Sequence, residues 1–131
     1  MDFTAQRPVH VGTAGRVAAA AVAIEGLVLL AVAVRLVVEL TSAAPADRGG
    51  AITEVVLSVG FGAGLLGCAS FLLRGRRWPR GLLVTWQLLQ VAVAIPALRD
   101  QWYLGAGLLL LSAVGLVALV RLPSAGPAGP A

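Results

Sequence analysis

The sequence contains no lysine and no asparagine, one cysteine, one histidine and few charged residues of either sign. Charged residues make up 12% of the 131 residues, whereas roughly a quarter is usual for a soluble domain. So few charges cannot cover the surface of a water-soluble globule of this size. The composition therefore excludes an ordinary soluble protein.

The scarcity of cysteine and histidine restricts the chemistry of the chain. Cys68 is the only cysteine, so no intramolecular disulfide can form, and His10 is the only histidine. A nucleophile with its base, a pair of catalytic carboxylates or a cluster of metal ligands needs more such residues close together. The sequence predicts no enzyme, no catalytic residue, no metal site and no cofactor.

Apolar residues dominate what remains. They form 59% of the chain, the mean hydropathy is +0.92, and they fall into four runs at about 17–40, 52–73, 81–98 and 102–120. Each run is long enough to cross a hydrocarbon core of ~30 Å as a helix. The runs predict an all-α membrane protein with four transmembrane helices in an antiparallel up-down bundle, over residues 16–122. Residues 1–15 are expected to form a cytoplasmic tail, and residues 123–131, rich in Pro, Gly and Ala, a disordered one.

The ten basic residues are all arginines, and they lie between the apolar runs rather than on one basic face. In an up-down bundle, seven of them share a side with both termini: Arg7, Arg16, Arg74, Arg76, Arg77, Arg80 and Arg121. Arg35, Arg48 and Arg99 remain for the other side. Because short arginine-rich loops stay cytoplasmic, we expect a multi-pass protein of the bacterial inner membrane with both termini inside. The same distribution gives no reason to expect nucleic-acid binding.

Four arginines crowd the short segment between the second and third runs. Arg74, Arg76, Arg77 and Arg80 surround Trp78 and Pro79, and this segment, residues 74–80, is called the basic hinge below. Such a hinge would attract anionic lipid headgroups at about 1 kcal/mol per arginine. The topology rule accounts for the same residues without any lipid specificity.

Small residues in the second run suggest close helix packing. Gly60, Gly64 and Gly67 recur at spacings of four and three residues, so they share one helical face on which two backbones can approach closely. The face would serve either packing within one bundle or contact with a second copy. We expect packing within the bundle, because four helices already need internal contacts.

One acid lies deep in the first run. Glu25 is nine residues past Arg16, which places it ~13 Å along the helix and near the bilayer centre. A charged acid there costs about 2.5–3.5 kcal/mol on insertion scales, so the side chain should face the bundle. Gln87, Gln90 and Ser112 fall at similar depth, and the four residues are expected to form one buried polar layer.

The polar layer admits two interpretations. It could be an interhelical hydrogen-bond lock or a partner contact, with bonds of about 1 kcal/mol each, or it could be a proton- or cation-linked site.

Nearer the outer end of the first run, Arg35 and Glu39 are four residues apart and are expected to pair while reaching toward water.

Three stretches resemble small uncharacterised four-helix membrane proteins of actinobacteria. They are Ala-Ile-Glu25-Gly-Leu in the first run, Arg74-Gly-Arg-Arg-Trp78-Pro-Arg with the following Val84-Thr-Trp-Gln-Leu-Leu-Gln90, and Trp102-Tyr-Leu-Gly at the start of the last run. The resemblance covers residues 25–122 and implies a membrane location without an activity. The chain is also similar to small multidrug resistance transporters in having four short helices and one embedded acid, but it lacks their aromatic surroundings and fourth-helix dimer motif.

The sequence thus predicts a non-enzymatic membrane protein, a structural or accessory element of a membrane assembly. Its expected partners are the lipid bilayer and either a second copy or another membrane subunit. The alternative is a small proton-coupled transporter of the small multidrug resistance type that uses Glu25.

Overall fold

The structure, a computed structural model, describes residues 11–42 and 46–123 as four helices. They are α1 (Thr13–Ser42), α2 (Arg48–Leu73), α3 (Arg80–Asp100) and α4 (Trp102–Val120). Each predicted span lies within one of these helices. The predictions for His10, for most of the N-terminal tail and for residues 124–131 fall outside the described residues.

All four helices are long and apolar enough to cross a membrane. Large apolar side chains cover their outer surfaces: Val34 is 65% exposed, Val56 63% and Leu110 68%. In water these surfaces would be an aggregation hazard, whereas lipid is as apolar as they are. The fold is therefore compatible with a multi-pass membrane protein, as the sequence predicts.

The connections are shorter than the sequence pattern suggests. Gly49 and Gly50, which precede the second apolar run, belong to the first turn of α2, and the Asp47 carboxylate accepts from the Gly50 backbone N–H at 2.9 Å and caps the helix. The basic hinge turns at Gly75, whose φ of 74° favours glycine. The third and fourth apolar runs leave residues 99–101 between them, whereas in the structure Gln101 alone separates α3 from α4.

Helix α1 packs against both α2 and α4, and α3 packs against α4. The buried core lies between them, and it is built from small and branched side chains: Ala18, Ala19 and Val22 of α1, Leu65, Cys68, Ala69 and Leu72 of α2, Leu83 of α3, and Ala118 and Leu119 of α4. Helices α2 and α3, although consecutive, have far less backbone contact with each other. A groove separates them instead.

The glycines that pack helices are not the ones predicted. A Cβ added at Gly60, Gly64 or Gly67 would have no heavy atom within 4 Å, so these residues do not bring another helix of the chain close. The contact between α1 and α2 is made at Gly26 and Gly62, where a Cβ on either would lie 2.9–3.0 Å from the other's carbonyl oxygen. At 3.6 residues per turn, position 62 lies about 200° around the helix from position 60. The predicted face therefore points away from α1.

The start of α1, the basic hinge and the end of α4 lie close together. A Cβ at Gly15 would be 3.5 Å from the Leu122 side chain. The Arg77 guanidinium donates to the carbonyl of Pro123, and that of Arg80 donates to the carbonyl of Val120 at 3.4 Å. Arg80 thus donates to a carbonyl at the end of α4 that has no partner within the helix, and Arg77 binds the segment that follows α4.

Candidate functional site

Glu25 is buried on the inner face of α1 and is 2% exposed. Its Oε1 accepts a hydrogen bond from Nε2 of Gln87 at 2.9 Å, and its Oε2 accepts from Nε1 of Trp86 at 2.9 Å. Gln87 Nε2 is also 3.1 Å from Oε2. Both carboxylate oxygens are thus bound by donors from α3, as a buried polar group requires.

The two donors are consecutive residues of α3. Neighbouring side chains on a helix point in directions about 100° apart, so Trp86 and Gln87 lie on either side of the direction that faces α1. Gln87 is 0% exposed. Trp86 is half-buried, and its ring lies against Phe61 of α2, with ring centroids 5.3 Å apart. One indole therefore connects α3 to both α1 and α2. The polar layer expected from the sequence does not include Trp86, although its N–H donates to the acid.

Gly115 of α4 makes room for the Gln87 amide. A Cβ at position 115 would lie 2.8 Å from Gln87 Nε2 and 3.2 Å from Oε1, so any larger residue would displace the amide. The Oε1 atom of Gln87 is buried and has no hydrogen-bond partner among the described residues. The amide is therefore held by its Nε2 and by the backbone of α4.

Gln90 and Ser112 form a separate pair. The Ser112 hydroxyl donates to Oε1 of Gln90 at 2.7 Å and links α4 to α3. The structure thus brings together the four residues predicted as one layer in two hydrogen-bonded pairs, Glu25 with Gln87 and Gln90 with Ser112. No direct hydrogen bond joins the two pairs within the described ranges.

A cavity of about 280 Å³ lies beside the acid. Its polar lining comes from Glu25, Trp86 and Gln90, and the rest is apolar: Val28, Leu29, Leu89, Val93, Leu108 and Leu111. No arginine lines it.

In the part of the chain that the structure describes, the one ion pair is Arg35 with Glu39, at 2.8 Å and well exposed, which confirms the predicted pairing. The same part contains no group of three or more potential metal ligands.

The four arginines of the basic hinge differ in their contacts. Arg77 and Arg80 donate hydrogen bonds to the carbonyls of Pro123 and Val120. The Arg76 guanidinium lies over the Phe71 ring, 5.9 Å from its centroid, within the range of a cation–π interaction. Arg74 is exposed.

Comparison with known proteins gives no family to which the chain can be assigned. No protein-family model, no curated protein and no solved structure matches it.

Proposed function

We propose that the chain is a multi-pass protein of the bacterial inner membrane that acts as a structural or accessory element of a membrane assembly. The proposed fold is an antiparallel up-down bundle with both termini in the cytoplasm. It is supported by the proximity of the start of α1, the basic hinge and the end of α4, because four spans in up-down order bring these three points to one side. The arginine distribution then favours the cytoplasmic side for them.

The observation that carries the proposal is the enclosure of Glu25 by two donors of α3. A carboxylate that is 2% exposed and bonded at both oxygens ties α1 to a helix with which it has little backbone contact. Hydrogen bonds between helices in a membrane contribute about 0.6 kcal/mol on average and up to about 1.7 kcal/mol. Glu25 therefore serves to fix the relative position of the helices. We propose no catalytic activity, because both oxygens of the Glu25 carboxylate and the Ser112 hydroxyl are used in hydrogen bonds between helices.

The outer surface supplies the partner contacts in this proposal. Its apolar side chains face the lipid bilayer and a second copy or another membrane subunit. The exposed Trp78, at 63%, and Trp102, at 72%, would mark the inner and outer interfaces, where tryptophan is enriched. The proposal includes no nucleic acid, since the arginines are distributed between the apolar runs and do not form one basic face.

Replacing Glu25 by Gln and by Met tests the proposal. The Glu25→Gln side chain keeps an oxygen for Trp86, and its amide can donate to the unpartnered Gln87 Oε1 once that amide turns. We therefore expect the Gln variant to unfold in mild detergent within about 0.5 kcal/mol of wild type and to retain the same copurifying membrane components, and the Met variant to lose about 1–2 kcal/mol. Equal loss in both variants would contradict a hydrogen-bond lock.

A second candidate function is a small proton-coupled transporter of the small multidrug resistance type, favoured by the cavity beside Glu25. A carboxylate that lines about 280 Å³ of mostly apolar space can bind either a proton or a cation, one in exchange for the other. Proton flux in vesicles separates the two functions. An accessory element gives no flux that depends on Glu25, whereas a transporter gives a flux that the Glu25→Gln variant abolishes although it folds normally.

A further inference from the structure

The groove between α2 and α3 is apolar and lies open on the surface. It has a volume of about 410 Å³, within the range of small-molecule sites. Its α2 side includes Gly60, Gly64 and Gly67, where a Cβ would point into open space, and is completed by Phe61, Leu65, Cys68 and Phe71. The missing side chains leave a smooth channel along this half of the helix.

Aromatic pairs bound the groove at its two ends. Phe71 and Trp78 lie at the hinge end, with ring centroids 5.4 Å apart, and Phe61 and Trp86 lie at the other end, 5.3 Å apart. The residues from Gly60 to Phe71 extend ~16 Å along α2 at 1.5 Å per residue. That is about half of a ~30 Å hydrocarbon core, so the groove spans a single leaflet, from the basic hinge to the level of Glu25.

Positive charge lies at one end of this groove. Arg76 stacks on Phe71, which lines the groove, and the exposed Arg74 ends α2 beside it. The acidic side chains of α2 and α3, Glu54 and Asp100, and the N-cap residue Asp47 of α2 lie near the opposite ends of those helices. Helix α2 ends and helix α3 begins at this end, so the opposite partial charges of the two helix termini offset each other and the arginines carry the positive charge.

We propose that this groove is a binding site for one anionic phospholipid of the cytoplasmic leaflet. An acyl chain lies along Gly60, Gly64 and Gly67, and the headgroup phosphate pairs with Arg74 and Arg76. A phospholipid combines an apolar chain of one-leaflet length with a negative charge at one end, which is the distribution that the groove and the hinge complement. Basic sites between transmembrane helices on the cytoplasmic side bind anionic headgroups in this way.

A second copy of the chain fits the groove less well. A helix is about 10 Å wide and would cross the whole membrane, whereas the groove ends at Phe61 and Trp86. A parallel two-fold dimer through this face would also bring two basic hinges together, with no described carboxylate at that end to offset them.

Native mass spectrometry of the full chain tests the proposal. The protein is purified in a neutral detergent, and phosphatidylglycerol or phosphatidylcholine is added at equal concentration. We expect one bound phosphatidylglycerol, retained at least fivefold better than phosphatidylcholine, since each arginine near an anionic lipid is worth about a factor of five.

Three sets of variants assign the binding. Gly64→Leu and Gly60→Leu fill the groove without meeting another residue at Cβ, and each should reduce phosphatidylglycerol binding at least tenfold. The paired change Arg74→Gln with Arg76→Gln should lower phosphatidylglycerol binding to the phosphatidylcholine level. Gly107→Leu is the matched control, because its Cβ also enters open space but on α4, and it should bind as wild type. Circular dichroism verifies that each variant keeps its helix content.

Several results would overturn the proposal. If a folded Gly64→Leu or Gly60→Leu variant binds phosphatidylglycerol as well as the wild type does, the lipid lies elsewhere. If the wild type retains both lipids equally, the arginines do not select the headgroup. A dimer that holds no lipid and is lost in Gly64→Leu would assign the groove to a second copy.

Discussion

The indole Nε1 of Trp86 lies 2.9 Å from Oε2 of Glu25 and donates a hydrogen bond to it from α3 to α1. These two helices have little backbone contact, so side chains make the connection. Because Trp86 also stacks on Phe61 of α2, one residue joins three helices at the depth of the acid.

Gly115→Ala should weaken the link between Glu25 and Gln87. The new Cβ would lie 2.8 Å from Gln87 Nε2, so the amide must move and its hydrogen bond to Glu25 lengthens. We expect a loss of about 1–3 kcal/mol in the free energy of unfolding, measured by denaturation in mixed detergent. Gly107→Ala, on the same helix but facing open space, should leave stability unchanged within about 0.5 kcal/mol. Equal effects would show that Gln87 is not held against α4.

Gly62 and Gly64 should respond oppositely to the same change. In Gly62→Ala the Cβ would lie 3.0 Å from the Gly26 carbonyl oxygen, and backbone cannot yield as a flexible side chain can, so we expect a loss of about 1–3 kcal/mol. Gly64→Ala meets nothing and should be neutral or gain up to about 1 kcal/mol, because alanine favours a helix over glycine. Thermal unfolding of the two detergent-solubilised variants decides the matter, and a larger loss at position 64 would contradict the packing of α1 on α2.

Gly105→Ala should disrupt the connection between α3 and α4. Gln101 is the one residue between these helices, and a Cβ at position 105 would lie 2.5 Å from the Leu98 backbone nitrogen. The expected loss in the free energy of unfolding exceeds that of Gly62→Ala. A lower amount of the variant protein in the membrane would report this loss. Normal accumulation and stability would show that the turn between α3 and α4 is looser than the structure has it.

Labelling with a membrane-impermeant maleimide tests the proposed topology. In a Cys68→Ser background, a cysteine introduced by Arg76→Cys should be labelled only after the cells are opened, because the basic hinge is cytoplasmic in the proposal. Arg48→Cys, at the start of α2, should be labelled in intact cells. The reverse pattern would place the termini outside.

The four helices and the depth of the polar residues could be predicted from the sequence. Apolar runs of about twenty residues indicate spans by length alone, and a rise of 1.5 Å per residue puts Glu25, Gln87 and Ser112 at one height. The structure brings Glu25 to Gln87 and Ser112 to Gln90, although not as the single layer that was expected. Depth is readable because it depends only on distance along the chain.

Rotation of the helices about their axes could not be read in the same way. Every face of these helices is apolar, so the sequence does not show that Gly62 faces α1 while Gly60 and Gly64 face the groove. In the same way, whether the Trp86 N–H reaches Glu25 depends on the rotation of α3 about its own axis. One signal was present, since Trp86 and Gln87 are adjacent donors at the depth of the only acid in mid-span.

A double-mutant cycle between Glu25 and Trp86 tests most directly that the acid ties α1 to α3. The free energies of unfolding of Glu25→Ala, Trp86→Phe and the double variant are compared with that of wild type in the same detergent. The account predicts that the two changes are not additive and that the coupling is about 0.5–1.7 kcal/mol in favour of the native pair. Additive changes, with a coupling of zero within error, would contradict it.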